Sequence, residues 1–288
     1  MGGGSEGWPT SLTVTARAVE PRARSAGGRM RDNRAMNDDS SKPGTTHFGF
    51  RDVPTGEKQK LVGQVFSSVA GNYDLMNDLM SLGIHRVWKR YFVATAQVRT
   101  GDRVLDLAGG TGDIAALLRD RVGASGELVL GDINAAMLRV GRDRMTDRGQ
   151  VRGFEYVQCN AETLPFPDAS FDLVTIAFGL RNVTDKDAAL REMHRVLKVG
   201  GQARVLEFSE VTADWFKPIY DFHSFQILPR LGRLFARDSD SYQYLAESIR
   251  KHPPQDALKG MMETAGFARC RYRNLSGGIV AIHDGFKA

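Results

Sequence analysis

A doubly wound α/β sheet is the fold this sequence predicts, on three observations. Short apolar runs alternate with amphipathic helical stretches from Arg103 to Phe208. One run, Phe171–Phe178, is almost continuously apolar, as expected of a parallel strand covered on both faces. The run Arg103–Leu107 passes straight into Gly109-Gly110-Thr111-Gly112 and then a helical stretch, the strand–turn–helix order in which such sheets carry a ligand-binding turn.

The elements follow in order. Lys58–Ala70 sets Leu61, Val62, Val65, Phe66 and Val69 on one helical face, and a second helix runs through Trp88 to Ala96. Gly101-Asp102 turns the chain into the first strand, Arg103–Leu107. Beyond the glycines, Ile114, Leu117, Leu118 and Val122 form a helical stripe. Glu127–Leu130 is the second strand, Asn134 to about Arg148 a helix, Phe154–Gln158 the third strand and Phe171–Phe178 the fourth. Lys186–Leu197 reads as a helix stopped by Gly200-Gly201, and Ala203–Phe208 as the fifth strand. From Ser209 to Lys251 the rhythm breaks into an aromatic-rich, partly helical insertion over the C-terminal edge of the sheet. Gln255–Ala265 is a further helix, and Ala268–Asn274 and Gly278–His283 complete a mostly parallel, seven-stranded sheet with helices on both faces.

With 288 residues, 42% hydrophobic and 25% charged, the chain has ample material for a core. Residues 47–288 read as one domain, with a helical lid over 47–100 and a substrate-side insertion over 209–251. Residues 1–46 read as a disordered leader, Gly-rich at first and then Arg-rich. A transit peptide, a basic tail and translated sequence upstream of a start at Met36 all fit it, and the start at Met36 is preferred. No run approaches 18 apolar residues, so no transmembrane helix is expected. Two cysteines, Cys159 and Cys270, exclude a disulfide scaffold, and six scattered histidines form no metal-binding spacing, so no metal is expected. The net charge of +5 is lopsided: residues 1–35 carry +3 and the rest +2. That near-neutral body argues against a nucleic-acid partner.

The glycine turn carries the first chemistry. Small residues let a ligand touch the backbone, and the helix that follows offers free N–H groups. Asp132, at the end of the second strand and 20 residues after Gly112, stands where a carboxylate accepts from ribose hydroxyls. The turn lacks the third glycine of a dinucleotide loop, since Ala115 stands there, and Asp113 would repel a pyrophosphate. A cationic sulfonium tolerates such acids, so S-adenosyl-L-methionine is preferred over NAD. Asn160 and Ala161, after the third strand, are placed to flank its adenine.

Asp106-Leu107-Ala108-Gly109-Gly110-Thr111-Gly112-Asp113 resembles the first motif of class I methyltransferases. The segments Tyr73–Asp78, Met80–Arg86, Phe178–Thr184, Leu206–Ser209 and Tyr244–Ile249 are similar to the ubiquinone/menaquinone biosynthesis C-methyltransferases, a resemblance that runs from about His47 to the C-terminus. It implies a Rossmann-like class I methyltransferase fold and methylation of a ring carbon on a polyprenylated benzoquinol, a naphthoquinol such as demethylmenaquinol, or both. Carried over, Gly110, Thr111, Gly112, Asp132, Asn160 and Ala161 are cofactor contacts. Many members have Ser where this chain has Ala177, so no contact is assigned there.

Carbon methylation of a quinol needs positioning and a favoured phenolate. Arg181 and Asn182 follow the fourth strand directly and are the expected catalytic pair, Arg181 stabilising the phenolate or orienting a water and Asn182 orienting the same oxygen. Tyr73 and Asp74 are candidates for a lid over the methyl donor, and His223 and Tyr244 for the quinol pocket. A cytoplasmic protein touching the inner membrane face is expected, or a matrix protein if residues 1–35 are a transit peptide. A homodimer and a quinone-biosynthesis assembly stay open as partners. The rivals are an N-methyltransferase, which lacks support because Phe178-Gly179-Leu180-Arg181 replaces an N-P-P-Y turn, a nicotinamide dehydrogenase, and a non-catalytic cofactor-binding partner. No G-K-[ST] follows the glycines, which excludes a P-loop.

Overall fold

The computed structural model describes residues 44–69, 77–78, 81, 83–212 and 239–288. It opens on a hairpin of β1 (Thr45–Phe48) and β2 (Arg51–Pro54), followed by α1 (Thr55–Val69). Next come α2 (His85–Ala94), β3 (Arg103–Leu107), α3 (Asp113–Val122), β4 (Glu127–Asp132), α4 (Ala135–Asp147), β5 (Phe154–Gln158) and β6 (Phe171–Ala177). A 3-10 turn, Leu180–Asn182, leads to α5 (Lys186–Val196) and β7 (Leu197–Phe208). The chain closes with α6 (Ser239–Arg250), α7 (Gln255–Thr264), β8 (Ala268–Leu275) and β9 (Val280–Phe286).

The large sheet has the order β5-β4-β3-β6-β7-β9-β8. β3 pairs in parallel with both β4 and β6, whereas β9 runs antiparallel to β7 and to β8. The chain winds outward from β3 to β5, then returns to the other side of β3. That reversal leaves a crevice at the carboxyl ends of β3 and β6, the place where open α/β sheets bind ligands. Successive residues of a strand cover opposite faces. Val104, Leu128, Leu173 and Leu206 therefore pack with Trp88, Phe92, Leu118 and Tyr242 on one side. Leu105, Val129, Val174 and Val205 pack with Leu190, Met193, Leu258 and Met262 on the other.

Several expectations are corrected. α5 ends at Val196 because Leu197 is already extended and pairs with Phe171, so Gly200-Gly201 does not stop the helix. The two glycines sit inside β7, where the register shifts. Gly200 (φ +80°) donates to Lys287 O, and Lys287 N donates to Gly201 O. The segment read as a helical lid, 47–100, opens within the β1–β2 hairpin, whose Gly49 turns at φ +60°. Its Phe48 stacks on Tyr244 at 4.1 Å, which ties the hairpin to α6. Of the insertion, residues 213–238 and the candidate His223 lie outside the described residues, as do Tyr73 and Asp74.

Candidate active site

A cavity of about 1010 Å³, measured to its open mouth, fills the crevice at the carboxyl ends of β3, β4 and β6. β3 contributes Leu107 and Ala108, and Gly110 follows in the glycine turn. Asp132, Ile133, Asn134 and Met137 line the wall after β4, and Cys159, Asn160, Ala161 and Glu162 the wall after β5. Phe178, Gly179 and Asn182–Thr184 line the end of β6, and α1 roofs the cavity with Gln59, Val62, Gly63 and Phe66.

The floor is locally strained. Ala108 (φ 50°) and Phe178 (φ 56°) are non-glycine residues in left-handed conformation, which costs energy and concentrates at functional sites. A Cβ on Gly179 would stand 2.5 Å from the Ala108 Cβ, so the two turns approach each other only because residue 179 is glycine.

Asp132 holds the glycine turn in place. Gly110 N donates to its Oδ2 (2.9 Å) and Asn134 N to its Oδ1 (2.8 Å). Burial pushes this carboxyl up to about 6 against those hydrogen bonds. A partly desolvated carboxylate with spare lone pairs facing a cavity calls for hydroxyl or N–H donors. Asn134 connects wall and roof: its Oδ1 caps α4 by accepting from Ala136 N (2.9 Å), and its Nδ2 donates to Gly63 O (3.2 Å) and Ser67 Oγ (3.0 Å) on α1. Asn160 Oδ1 accepts from Glu162 N (3.0 Å), and Glu162 Oε1 accepts from Thr184 N (3.1 Å), joining the β5 and β6 loops. Burial pushes the Cys159 thiol up to about 12, so it lines the wall as an inert apolar group.

The structure brings Gly110, Asp132, Asn160, Ala161 and Asn182 of the expected residues together in one cavity. Thr111 and Gly112 are not in its wall. Thr111 is buried, and Gly112 (φ +80°) caps α3, where a Cβ would press to 3.1 Å of Met145 Cε. Arg181 is also placed differently from the expectation. Its Nη1 donates to Glu207 Oε1 (2.8 Å) and to Phe178 O, its backbone N donates to Glu207 Oε2 (3.2 Å), and both side chains are almost completely buried. The 3-10 turn sends Arg181 into the sheet and Asn182 into the cavity, where Asn182 Oδ1 accepts from Tyr244 Oη (3.0 Å). Asp113 does not face the cavity. Burial opposes its charge, yet Lys89 Nζ (2.7 Å) and Arg144 Nη1 (3.2 Å) outweigh that and hold its carboxyl below the usual range. The argument that Asp113 would repel a pyrophosphate therefore fails in the structure. α1 lies in the segment expected as a lid, but the spacing of Val62 and Phe66 is that of ordinary core residues and does not mark them as cavity lining.

Asp106, beneath the glycine turn, accepts from Thr175 Oγ1 (2.8 Å) but is pushed up to about 7 by burial. The folded chain therefore binds this proton more tightly than the unfolded chain, and stability declines as pH rises from about 4 to 7. Asp106→Asn is expected to raise stability by roughly 1–3 kcal/mol at pH 8 and by little near pH 4.5, read by urea denaturation. An equal change at both pH values would contradict this.

Comparison with known proteins supports the site. A profile described as the ubiE/COQ5 methyltransferase family matches residues 37–287. "Ubiquinone/menaquinone biosynthesis C-methyltransferase UbiE" of Xanthomonas campestris pv. campestris is 81% identical over 252 residues, 88% of this chain and 100% of that protein. Proteins of the same name from Stenotrophomonas maltophilia and Xylella fastidiosa are 80% and 76% identical over the same shares. Among solved structures, a SAM dependent methyltransferase from Aquifex aeolicus aligns with TM-score 0.52 at 18% identity, covering 77% of this chain and 98% of that one. The [4+2]-cyclase SpnF aligns with TM-score 0.54 at 17% identity, covering 80% of this chain and 96% of that one. At that identity the structures establish the class I SAM-dependent methyltransferase fold alone, and SpnF shows that this fold hosts other chemistry. The profile match and the full-length relatives settle the point that the fold leaves open: the chain belongs to the ubiE/COQ5 methyltransferase family.

Proposed function

We propose that this chain transfers a methyl group from S-adenosyl-L-methionine to a ring carbon of a polyprenylated quinol, a benzoquinol of the ubiquinone pathway or demethylmenaquinol. The observation that carries the reading is a single cavity joining Gly110 and Asp132 at one end to Asn182 at the other. It stands in a chain 81% identical to the full length of a relative bearing that activity in its name. The residues fit the cofactor. The Asp132 carboxylate suits ribose hydroxyls, the apolar walls of Ile133 and Met137 suit a flat base, and the polar groups of Asn160 and Ala161 suit its edge. Bound here, S-adenosyl-L-methionine supplies an electrophilic methyl group on a sulfonium.

The protein's part is positioning. Asn182, held by Tyr244, presents an amide to the acceptor and orients the ring hydroxyl whose ionisation enriches the neighbouring carbon. Arg181 supports that turn through Glu207 and Phe178 O rather than meeting the acceptor, so it is a positioning residue. The roof of α1 lays Val62 and Phe66 over the cavity as an apolar cover. No described helix is long and apolar enough to cross a membrane. Asn182→Ala is expected to lower kcat by about 10- to 100-fold with an unchanged cofactor Kd, and Tyr244→Phe by less. Wild-type turnover in Asn182→Ala would remove Asn182 from the mechanism. The reading as a whole is tested by NMR of the product formed from short-chain demethyl-benzoquinol and demethyl-naphthoquinol. A new methyl on ring carbon supports it, and a methyl on oxygen overturns it.

A further inference from the structure

Among the described residues three ionisable side chains line the cavity: Asp132, Cys159 and Glu162. Asp132 holds the glycine turn and Cys159 stays a thiol, which leaves Glu162 without a part in the proposed reaction. Glu162 Oε1 accepts from Thr184 N (3.1 Å) and Asp185 N (3.2 Å), two and three residues after Asn182. Its Oε2 accepts from no described residue. The wall next to Asn182 thus carries a carboxylate oxygen with spare lone pairs.

Behind that wall lies a buried amine. Lys58 stands on the cavity side of α1, three residues after Thr55 and four before Val62, both of which line the cavity. Lys58 is 1% exposed, and its Nζ makes no hydrogen bond to a described residue. Two charges act on it: Glu162 attracts it and Lys186 repels it. Lys186 Nζ is itself spent on Val183 O (3.2 Å). A buried ammonium without a hydrogen bond is costly. Burial, aided by Lys186 and opposed by Glu162, pushes Lys58 down to about 8, above which it is a neutral amine with a free lone pair. The reaction needs such a group, because carbon methylation releases a proton. Arg181 is a cation locked to Glu207 and does not take one. His252 is a further buried base with an unpartnered nitrogen, but its charged neighbours Lys186, Arg181 and His283 do not line the cavity.

We propose that Glu162 accepts the proton of the acceptor's ring hydroxyl and passes it to Lys58, which stores it while the methyl group is transferred. This rests on the quinol reading above. The O–H bond breaks toward Glu162 Oε2, and the proton moves on to the Lys58 amine, leaving an ammonium and a phenolate. The ring carbon then forms a bond to the methyl carbon, and the S–C electron pair returns to sulfur as a thioether. The same ring carbon loses its own proton to water as the ring oxygen recovers the stored one, so one proton leaves per turnover. Glu162 touches the acceptor, and Lys58 acts through it.

The test measures kcat from about pH 6.5 to 10 on a reduced short-chain acceptor at saturating cofactor. Wild-type kcat is expected to rise through about pH 8 and level off above it. Lys58→Met keeps the buried volume and removes the amine. It is expected to lower kcat about 100-fold and abolish the rise, with an unchanged cofactor Kd and a Tm no lower than wild type. Lys58→Arg, always charged, is expected to be as slow. Glu162→Gln keeps an oxygen for Thr184 N and Asp185 N, and a similar loss of kcat is expected. Lysine side-chain NMR reads the pair without turnover: one amine titrating near 8 in the wild type, absent from Lys58→Met and titrating lower in Glu162→Gln. Wild-type kcat in Lys58→Met or Glu162→Gln overturns the proposal. So does a rise through pH 8 that survives in Lys58→Met, or a raised KM at unchanged kcat. Each of these leaves the quinol reading standing, whereas a wild type that methylates neither quinol overturns that reading and this proposal with it.

Discussion

Asp132→Ala is expected to raise the Kd for S-adenosyl-L-methionine by about two orders of magnitude, measured by calorimetry. The carboxylate faces the cavity while accepting from Gly110 N and Asn134 N, so the substitution removes both the ribose acceptor and the anchor of the glycine turn. Charge-assisted hydrogen bonds each contribute about 1.5–3 kcal/mol, and the loss of even one to two of them gives a factor on the order of a hundred. The pH dependence has a definite sign. Burial raises this carboxyl to about 6, so the ionised form that accepts from hydroxyls is complete only above that pH. Cofactor affinity is expected to hold above about pH 6 and to fall as pH drops through it. Asp132→Asn is expected to bind weakly at every pH, without that dependence. A cofactor affinity for Asp132→Ala within threefold of wild type would show that the ribose is held elsewhere.

Arg181→Ala is expected to destabilise the fold by about 3–5 kcal/mol, because it leaves Glu207 buried without its cation. For a chain of this size that lowers Tm by roughly 10 °C. The pair Arg181→Met with Glu207→Gln is expected to recover much of the loss, since it buries no unpaired charge and keeps an acceptor for the backbone N–H groups of Arg181 and Phe208. If Arg181 acts only through its turn, the double variant recovers turnover along with stability, and its cofactor Kd stays at the wild-type value. A variant with wild-type Tm but a kcat reduced a thousandfold would instead place the guanidinium on the acceptor.

The sequence shows most clearly those features that burial dictates. Arg103–Leu107 is a strand with the expected bounds, because a parallel strand covered on both sides tolerates few polar residues in its interior, and Phe154–Gln158 keeps its expected bounds at the edge of the sheet, where Glu155 and Gln158 are exposed. The winding of the sheet and the placement of Asp132 beside Gly110 follow from spacing alone. Direction is harder to read. Arg181 and Asn182 are neighbours in the sequence, yet Arg181 pairs with the buried Glu207 while Asn182 lines the cavity. Asp113 looks like part of the cofactor site until Lys89 and Arg144, distant in sequence, draw it to the far face. Gly200-Gly201 resembles a helix stop because glycine signals both a helix end and a strand irregularity, and only the bond to Lys287 decides between them. The lid is expected from the sequence, but which residues of α1 face the cavity is not legible for a similar reason: apolar residues at helical spacing look the same facing a core or an apolar cavity.

The most direct test of the account is the redox dependence of methyl transfer. Short-chain demethyl-benzoquinone and demethyl-naphthoquinone are incubated with the full chain and radiolabelled S-adenosyl-L-methionine, each with and without dithionite. Only a reduced ring has a hydroxyl to ionise and an electron-rich carbon to attack. Label is therefore expected in the reduced acceptors alone, and the faster of the two identifies the ring that the cavity prefers. Label incorporated equally into oxidised acceptors, or none into either quinol while calorimetry shows the cofactor bound, would contradict the account.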